Sequence, residues 1–292
     1  PIPRMSTWRE AAFVEISEPL AGLYGWLVAP LAGDLSGARR LAFALPDELS
    51  GLPMHALISS KPESDPEFLV EDFEISYLGA GMLDDLVGPE SRPIDPSSDW
   101  LAVFADPEEN LPGARDESVA IRSAYSMSRA YVGRDAATAA NFIAECKRAN
   151  LIHVAAHHRM DASPAGIQLL LARDSTSDGT VTLRALSAVQ NPYLQLVVLS
   201  ACDAIGSSDP ISQGPARTAE VFSLIGAKSV LGGLWKVSDK SAQVVMAAFY
   251  QGLSRGKSRA EALQSAQRAV IESKQFAHPF YWACFALYGN PR

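Results

Sequence analysis

Two short apolar runs in this sequence end in residues that can do chemistry. Leu151-Ile152-His153-Val154-Ala155-Ala156 leads into His157-His158, and Leu196-Val197-Val198-Leu199-Ser200-Ala201 leads into Cys202-Asp203. An imidazole beside a thiol supplies a general base and a nucleophile. A thiol of pKa about 8.5 is only a few per cent ionised at neutral pH, so a neighbouring base matters. Each run reads as a strand, and open parallel sheets bind ligands outside the carboxyl ends of their strands. If the two strands are neighbours, His157 and Cys202 emerge side by side. The blander alternatives stand beside this one: Cys202 as a buried strand-end cysteine, His157 as a hydrogen-bonded loop histidine. The spacing of His153, His157 and His158 also suggests zinc. Against it, His153 alternates into the strand, no Glu follows it as in H-E-x-x-H, and no carboxylate or Cys pair has ligand spacing. No metal and no organic cofactor are expected. Cys146 on a helical pattern and Cys284 in the last apolar run read as packed thiols. A nucleophile elbow, a Walker A loop and a dinucleotide fingerprint are all missing. Asp84-Asp85 and Glu108-Glu109 read as solvated loop charges.

The elements that must position these residues follow from periodicity. Apolar runs at 41–45, 73–78, 101–105, 151–156, 167–172, 196–201, 229–234 and 281–287 read as strands. Several are apolar on both faces, as strands covered by helices on both sides must be. Helical patterns lie between them, at 116–125 and 136–147. Ser258-Arg259-Ala260-Glu261 reads as a capping box opening a helix that buries Leu263, Ala266 and Val270. Ser238 reads as the cap of another, with Val245, Phe249 and Leu253 inward. Strand alternating with helix predicts a three-layer α/β/α fold with a mainly parallel central sheet. The proline-rich stretch 88–100 reads as a surface connector. It separates a 20–99 subregion from a 100–292 core without forming a domain boundary. The stretch 203–215, rich in Gly and Ser, reads as a loop directly after Cys202.

Composition narrows the class. With 292 residues, 48% hydrophobic and 20% charged, the chain can bury a core without staples. Three scattered cysteines exclude a disulfide framework and favour a reducing, cytoplasmic setting. A net charge of −8 argues against a chain devoted to nucleic acid. No run reaches the roughly 20 apolar residues a membrane span needs. The best stretch, from Leu20 to position 31, is broken by Gly22, Gly25 and Pro30. No signal peptide is read. A chain that opens on Pro1 and reaches its first methionine at Met5 is expected to be a piece of a longer protein, or to carry a foreign scar there.

In order along the chain, these residues resemble the CHAT domain, a caspase-like peptidase domain often attached to tetratricopeptide repeats. The run from Leu151 to His157 resembles its histidine motif, and Val198-Leu199-Ser200-Ala201-Cys202 its cysteine motif. The separation of 45 residues between His157 and Cys202 is near the roughly 50 of caspases. The stretch from Gly226 to Asp239, with Gly232-Gly233-Leu234-Trp235 in it, is similar to the strand and turn that follow. His278-Pro279-Phe280-Tyr281-Trp282-Ala283-Cys284-Phe285 is similar to the closing element. Leu23-Tyr24, Leu45-Pro46-Asp47 and Leu111-Pro112-Gly113 fit upstream. The resemblance runs from about residue 20 to the end and leaves 1–19 as an extension or the end of an upstream region.

The resemblance implies a cysteine endopeptidase of the caspase–separase type. Cys202 would be the nucleophile, His157 the base and His153 structural. The backbone N–H groups of Cys202 and His158 would hold the oxyanion. The family usually has Gly where His158 stands, and a histidine reaches unusual backbone angles less easily. Substrate would lie extended along Gly232, Gly233, Leu234 and Trp235 as an added strand. Ser200 would line a neutral pocket selecting an apolar P1 residue, with Asp203 or Asp239 turned inward as the alternative that selects a basic one. Implied partners are a protein or peptide substrate and an activator or sensor region, such as tetratricopeptide repeats, upstream or in trans. Neither nucleic acid nor membrane is an expected partner. A regulated role in bacterial defence or cell death is implied by resemblance alone. The rival reading is a catalytically inactive scaffold or sensor; another is a hydrolase or transferase of a different class using Cys202.

Overall fold

The computed structural model describes residues 11–60, 65–79, 82, 92–160, 167–200, 214–236, 239–273 and 275–292. Helix α1 (Ala11–Leu27) opens the chain, followed by β1 (Arg40–Ala44), α2 (Leu69–Asp72), β2 (Glu74–Leu78) and β3 (Leu101–Ala105). Next come α3 (Pro112–Arg122), β4 (Ser128–Val132), α4 (Ala139–Cys146), β5 (Leu151–Ala155), β6 (His158–Met160), β7 (Ile167–Leu170) and β8 (Thr180–Thr182). Then α5 (Leu183–Leu186), β9 (Leu196–Leu199), α6 (Gly214–Ile225), β10 (Ser229–Gly233), α7 (Asp239–Ser254), α8 (Arg259–Glu272) and β11 (Phe285–Gly289) complete the fold.

Eight strands form one sheet in the order β1-β2-β11-β10-β9-β5-β3-β4. Neighbours are parallel except β10 and β11, which run antiparallel. β10, β9, β5, β3 and β4 therefore end on the same edge. The strands are apolar on both faces, and successive residues go to opposite layers. Leu101, Val103, Leu196 and Val198 pack with α3, α7 and α8. Ala102, Phe104, Val197 and Leu199 pack with α4, α6 and the small sheet β6-β7-β8. This is the expected three-layer α/β/α arrangement.

Several local expectations are met. The Ser258 hydroxyl accepts from the Glu261 N–H at 3.2 Å, and α8 buries Leu263, Ala266 and Val270. α7 buries Val245, Phe249 and Leu253; the Ser238 cap lies outside the described residues. Others need correction. The run 167–172 supplies β7 of the small sheet rather than a central strand. The last strand starts at Phe285, not at 281, because Pro279, Phe280 and Tyr281 form a 3-10 turn. The 116–125 helix is displaced to Pro112–Arg122, since Pro112 suits the first helical turn. α1 runs unbroken through position 20 and buries Phe13 in the core.

His55 clips the first strands to the last. It is buried in a 3-10 turn, with Nδ1 2.7 Å from the Tyr77 hydroxyl and Nε2 3.0 Å from the Ala283 carbonyl. A neutral ring satisfies both, with Nε2–H donating to Ala283 and Nδ1 accepting from Tyr77. Burial holds its pKa down at about 4, opposed by the Ala283 hydrogen bond. Between pH 4 and 6.5 the unfolded chain then binds the proton that the folded chain refuses. Stability from this site is full above 6.5 and is lost as pH falls toward 4, on the order of 3 kcal/mol in all. Urea unfolding of the parent and His55→Gln across this window checks it. The parent should show the steeper loss on acidification, and equal slopes would refute the assignment.

Candidate functional site

The candidate site forms where the sheet changes direction. From β3 the chain moves to one side, to β4, and then returns to β5 on the other side. The carboxyl ends of β3 and β5 flank this switch point, the usual ligand crevice of an open α/β sheet. β5 and β9 are direct neighbours, with His153 level with Val198 and Val154 with Leu199. The Ser200 N–H continues the pairing to the Val154 carbonyl at 2.9 Å. His157 follows β5 by two residues on this edge. Cys202 and Asp203 lie outside the described residues.

Residues 106–111, after β3, bring the polar partners of His157. Nε2 of His157 stands 2.9 Å from Asn110 Oδ1. With Nε2–H donating to that oxygen, the ring lone pair lies on Nδ1. The carboxamide oxygen can only accept, so it fixes which ring nitrogen faces it. Glu108 Oε2 is 4.0 Å from the same nitrogen and half-exposed, so its attraction is screened. The imidazole itself is 15% exposed, shielded yet open to solvent.

The loop is held under strain. Asp106 and Glu109 both have positive φ, 52° and 61°, which residues with a Cβ adopt at a cost. Asp106 is buried, and its carboxylate accepts from the Leu111 N–H at 2.7 Å and from Arg115 Nε at 2.5 Å. Its N–H donates to the Ala155 carbonyl at 3.0 Å. Arg115 also reaches Glu109 at 3.5 Å. Asn110 and His157 are thus tied to the same anchor. Sequence reasoning missed Asn110 and Asp106, and took Glu108 for a solvated charge. The available signal was position: 106–111 follows a both-face apolar strand at the edge where β5 also ends.

The other predicted residues are distributed as follows. His153 is fully buried, with Nδ1 3.1 Å from the Tyr250 hydroxyl. Its Nε2 lies 2.8 Å from Glu117 Oε1 but out of line for a hydrogen bond. His158 opens β6 opposite Leu169, and the bond from the Leu170 N–H to the His157 carbonyl makes them a non-hydrogen-bonded pair, so the His158 N–H is not spent on β7. Ser200 is buried at the end of β9. Gly232 and Gly233 pair with Ala286 and Phe285 of β11, and the Leu234 N–H donates to the Cys284 carbonyl at 2.7 Å. Trp235 is half-buried, its indole N–H bonded to the Phe280 carbonyl at 2.9 Å. Asp239 is exposed at the start of α7. It packs against the first turn of α3, where a Cβ on Gly113 would come within 2.9 Å of the Asp239 Cβ. Cys146 and Cys284 are buried outside disulfides, and burial with the Glu145 charge pushes the Cys146 thiol far up, making it inert. Among the described residues, no group of three His, Cys, Asp or Glu side chains is placed to hold a metal ion. No described helix is long and apolar enough to cross a membrane.

Comparison with known proteins agrees with this architecture. In sequence, the chain is similar to tetratricopeptide repeat protein 28 of Homo sapiens, at 25% identity over 97% of this chain, and of Mus musculus, at 26% over 93%. It spans about 13% of the length of those curated relatives. In structure, it is similar to separase in the Saccharomyces cerevisiae separase–securin complex, with a TM-score of 0.57 and 14% identity. That match covers 86% of this chain and 15% of the other. It is also similar to gingipain R, the Arg-specific cysteine proteinase of Porphyromonas gingivalis, with a TM-score of 0.56 and 9% identity over 98% of this chain and 69% of the other. The neighbours share its caspase-like layering. The CHAT domain profile matches residues 17–290, so the chain belongs to the CHAT domain family.

Proposed function

We propose that this chain is a cysteine endopeptidase acting through Cys202 and His157. The observation that carries the reading is the pairing of His157 with Asn110 at 2.9 Å, on the strand next to the one that leads into Cys202. A base with its second nitrogen fixed by a third group is the arrangement a thiol nucleophile requires. In this reading Cys202 loses its thiol proton to His157 and its sulfur adds to the scissile carbonyl. The backbone N–H groups of Cys202 and His158 hold the oxyanion. The tetrahedral adduct collapses as His157 returns the proton to the departing amine, leaving a thioester. Water, deprotonated by His157, hydrolyses the thioester and restores the thiol.

The same reading makes the chain a regulated effector, silent until a sensor region engages, with 20–292 as the peptidase unit. The repeats named in its relatives supply the kind of activator expected. A role in bacterial defence or cell death extends this proposal. His158 in place of the usual glycine favours the second reading, a binding module that kept the fold and lost turnover. A peptide-ketone probe separates the two: a peptidase is labelled at Cys202, and a scaffold is not.

Two outcomes are expected on the activated protein. Cys202→Ala and His157→Ala each lower kcat/KM by about a thousandfold or more while the protein stays folded. Cys146→Ala and Cys284→Ala keep activity at a packing cost of about 1 kcal/mol. Full cleavage by purified Cys202→Ala would sink the assignment.

Asn110 orients a ring and does not touch substrate. Asn110→Ala should therefore lower kcat about 10- to 100-fold and leave KM nearly unchanged. The ring also loses its fixed tautomer, so the pH–rate profile should shift. An unchanged kcat with an unchanged profile would remove Asn110 from the machinery.

A further inference from the structure

Gly232 poses a question of its own. It is buried in β10, between β9 and β11, where a glycine weakens a strand and packs nothing. Two reasons usually justify one there. The first is a left-handed backbone, and the second is a close neighbour that a Cβ would strike. Gly226 and Gly289, at either side of this region, satisfy both. Their φ angles are 123° and 87°, and a Cβ would meet carbonyl oxygens at 2.2 and 2.6 Å. Gly232 satisfies neither. Its φ lies outside the left-handed range, and among the described residues a Cβ built on it meets no heavy atom within 4 Å. The strand residues just before it, Val230 and Leu231, are fully packed.

The missing side chain thus leaves open space at the site edge. By strand alternation the space lies on the face of Val230 and Leu234. Ala286 is its partner across β11. Leu199 is level with it on β9, one step beyond the Leu231–Val198 pair. The walls are apolar, and two of the residues facing the space, Gly232 and Ala286, are small.

We propose that the space over Gly232 is a pocket for one side chain of the peptide substrate, and that the glycine sets its depth. The proposal rests on the peptidase reading above and adds a size filter to it. Apolar walls leave a charged side chain without a partner, so the occupant is uncharged and of medium size, such as Leu or Met. A peptide lying along β10 sends alternate side chains to opposite faces, so the filter acts on a single subsite.

Gly232→Ala and Gly232→Val test it. A positional-scanning peptide library is cleaved by the parent and both variants. In parallel, a displayed peptide library is selected for binding on the Cys202→Ala background with and without each change, which needs no turnover. At one subsite the parent should prefer Leu or Met. Gly232→Val should shift that subsite to Ala or Gly, with a loss for Leu of about tenfold or more. Preferences at the other subsites and the Tm should stay as in the parent. Binding that shifts in this way without any cleavage supports the pocket and removes the peptidase reading. Cleavage with a profile indifferent to residue 232 removes the pocket and keeps the peptidase. Uniform loss across all subsites, absence of both cleavage and selective binding, or unfolding of both variants overturns the pocket.

Discussion

The buried carboxylate of Asp106 is the constraint on which the site depends. A charge removed from water is tolerated only when donors satisfy it. Here the donors are the Leu111 N–H and the Arg115 guanidinium, while the Asp106 N–H is spent on Ala155. Leu111 directly follows Asn110, and Ala155 precedes His157 by two residues. One residue, through its carboxylate on one side and its backbone N–H on the other, thereby fixes the separation of the two polar groups. The left-handed backbone at Asp106 and Glu109 is the conformational cost of this loop, and these bonds keep it in place.

Below the edge, the layer of α3 and α7 is pinned by a second polar group. His153 sits four residues before His157 on β5, buried among apolar neighbours, and reaches Tyr250 of α7 and Glu117 of α3. α3 is therefore held at its start through Asp106 and Arg115, while His153 ties β5 to α7 through the Tyr250 hydroxyl. The remaining contacts on this face are hydrophobic: Leu101, Val103, Leu196 and Val198 against Val245, Phe249 and Leu263. Such contacts give stability without direction. Direction comes from the few buried polar groups, and two of them lie within one loop or one strand of the proposed base.

What the sequence revealed and what it hid divide along the same line. β5 and β9 were legible because both their faces are apolar, whereas their adjacency is fixed by the register of the sheet and stood in the sequence only as a condition. The Ser258 cap of α8 was legible from its capping pattern, and the inward faces of α7 and α8 from 3.6-residue periodicity. β4 was not, because an edge strand carrying Ser128 and Arg129 lacks that pattern. The start of β11 was misplaced because Tyr281, Trp282 and Ala283 are as apolar as a strand, although Pro279 bends them into a turn. Asn110 was hidden for another reason. A carboxamide in a loop has no signature of its own, and its meaning comes from the fold that turns 106–111 back onto β5.

The reversal at β11 limits where a peptide can be held. β11 runs against β10 and pairs with it through Gly233, and the Leu234 N–H still donates to Cys284 beyond the last register pair. That side of β10 is occupied to its end. On the other side, the register with β9 runs only from Ser229 to Leu231. Among the described residues, the β9 side is therefore where the proposed peptide strand would find backbone partners on β10, at Gly232 and beyond. β5 with His157, and β9 leading into Cys202, lie on that same side. The direction of a single closing strand therefore leaves β5, the strand of the proposed base, and the open space over Gly232 on one side of β10.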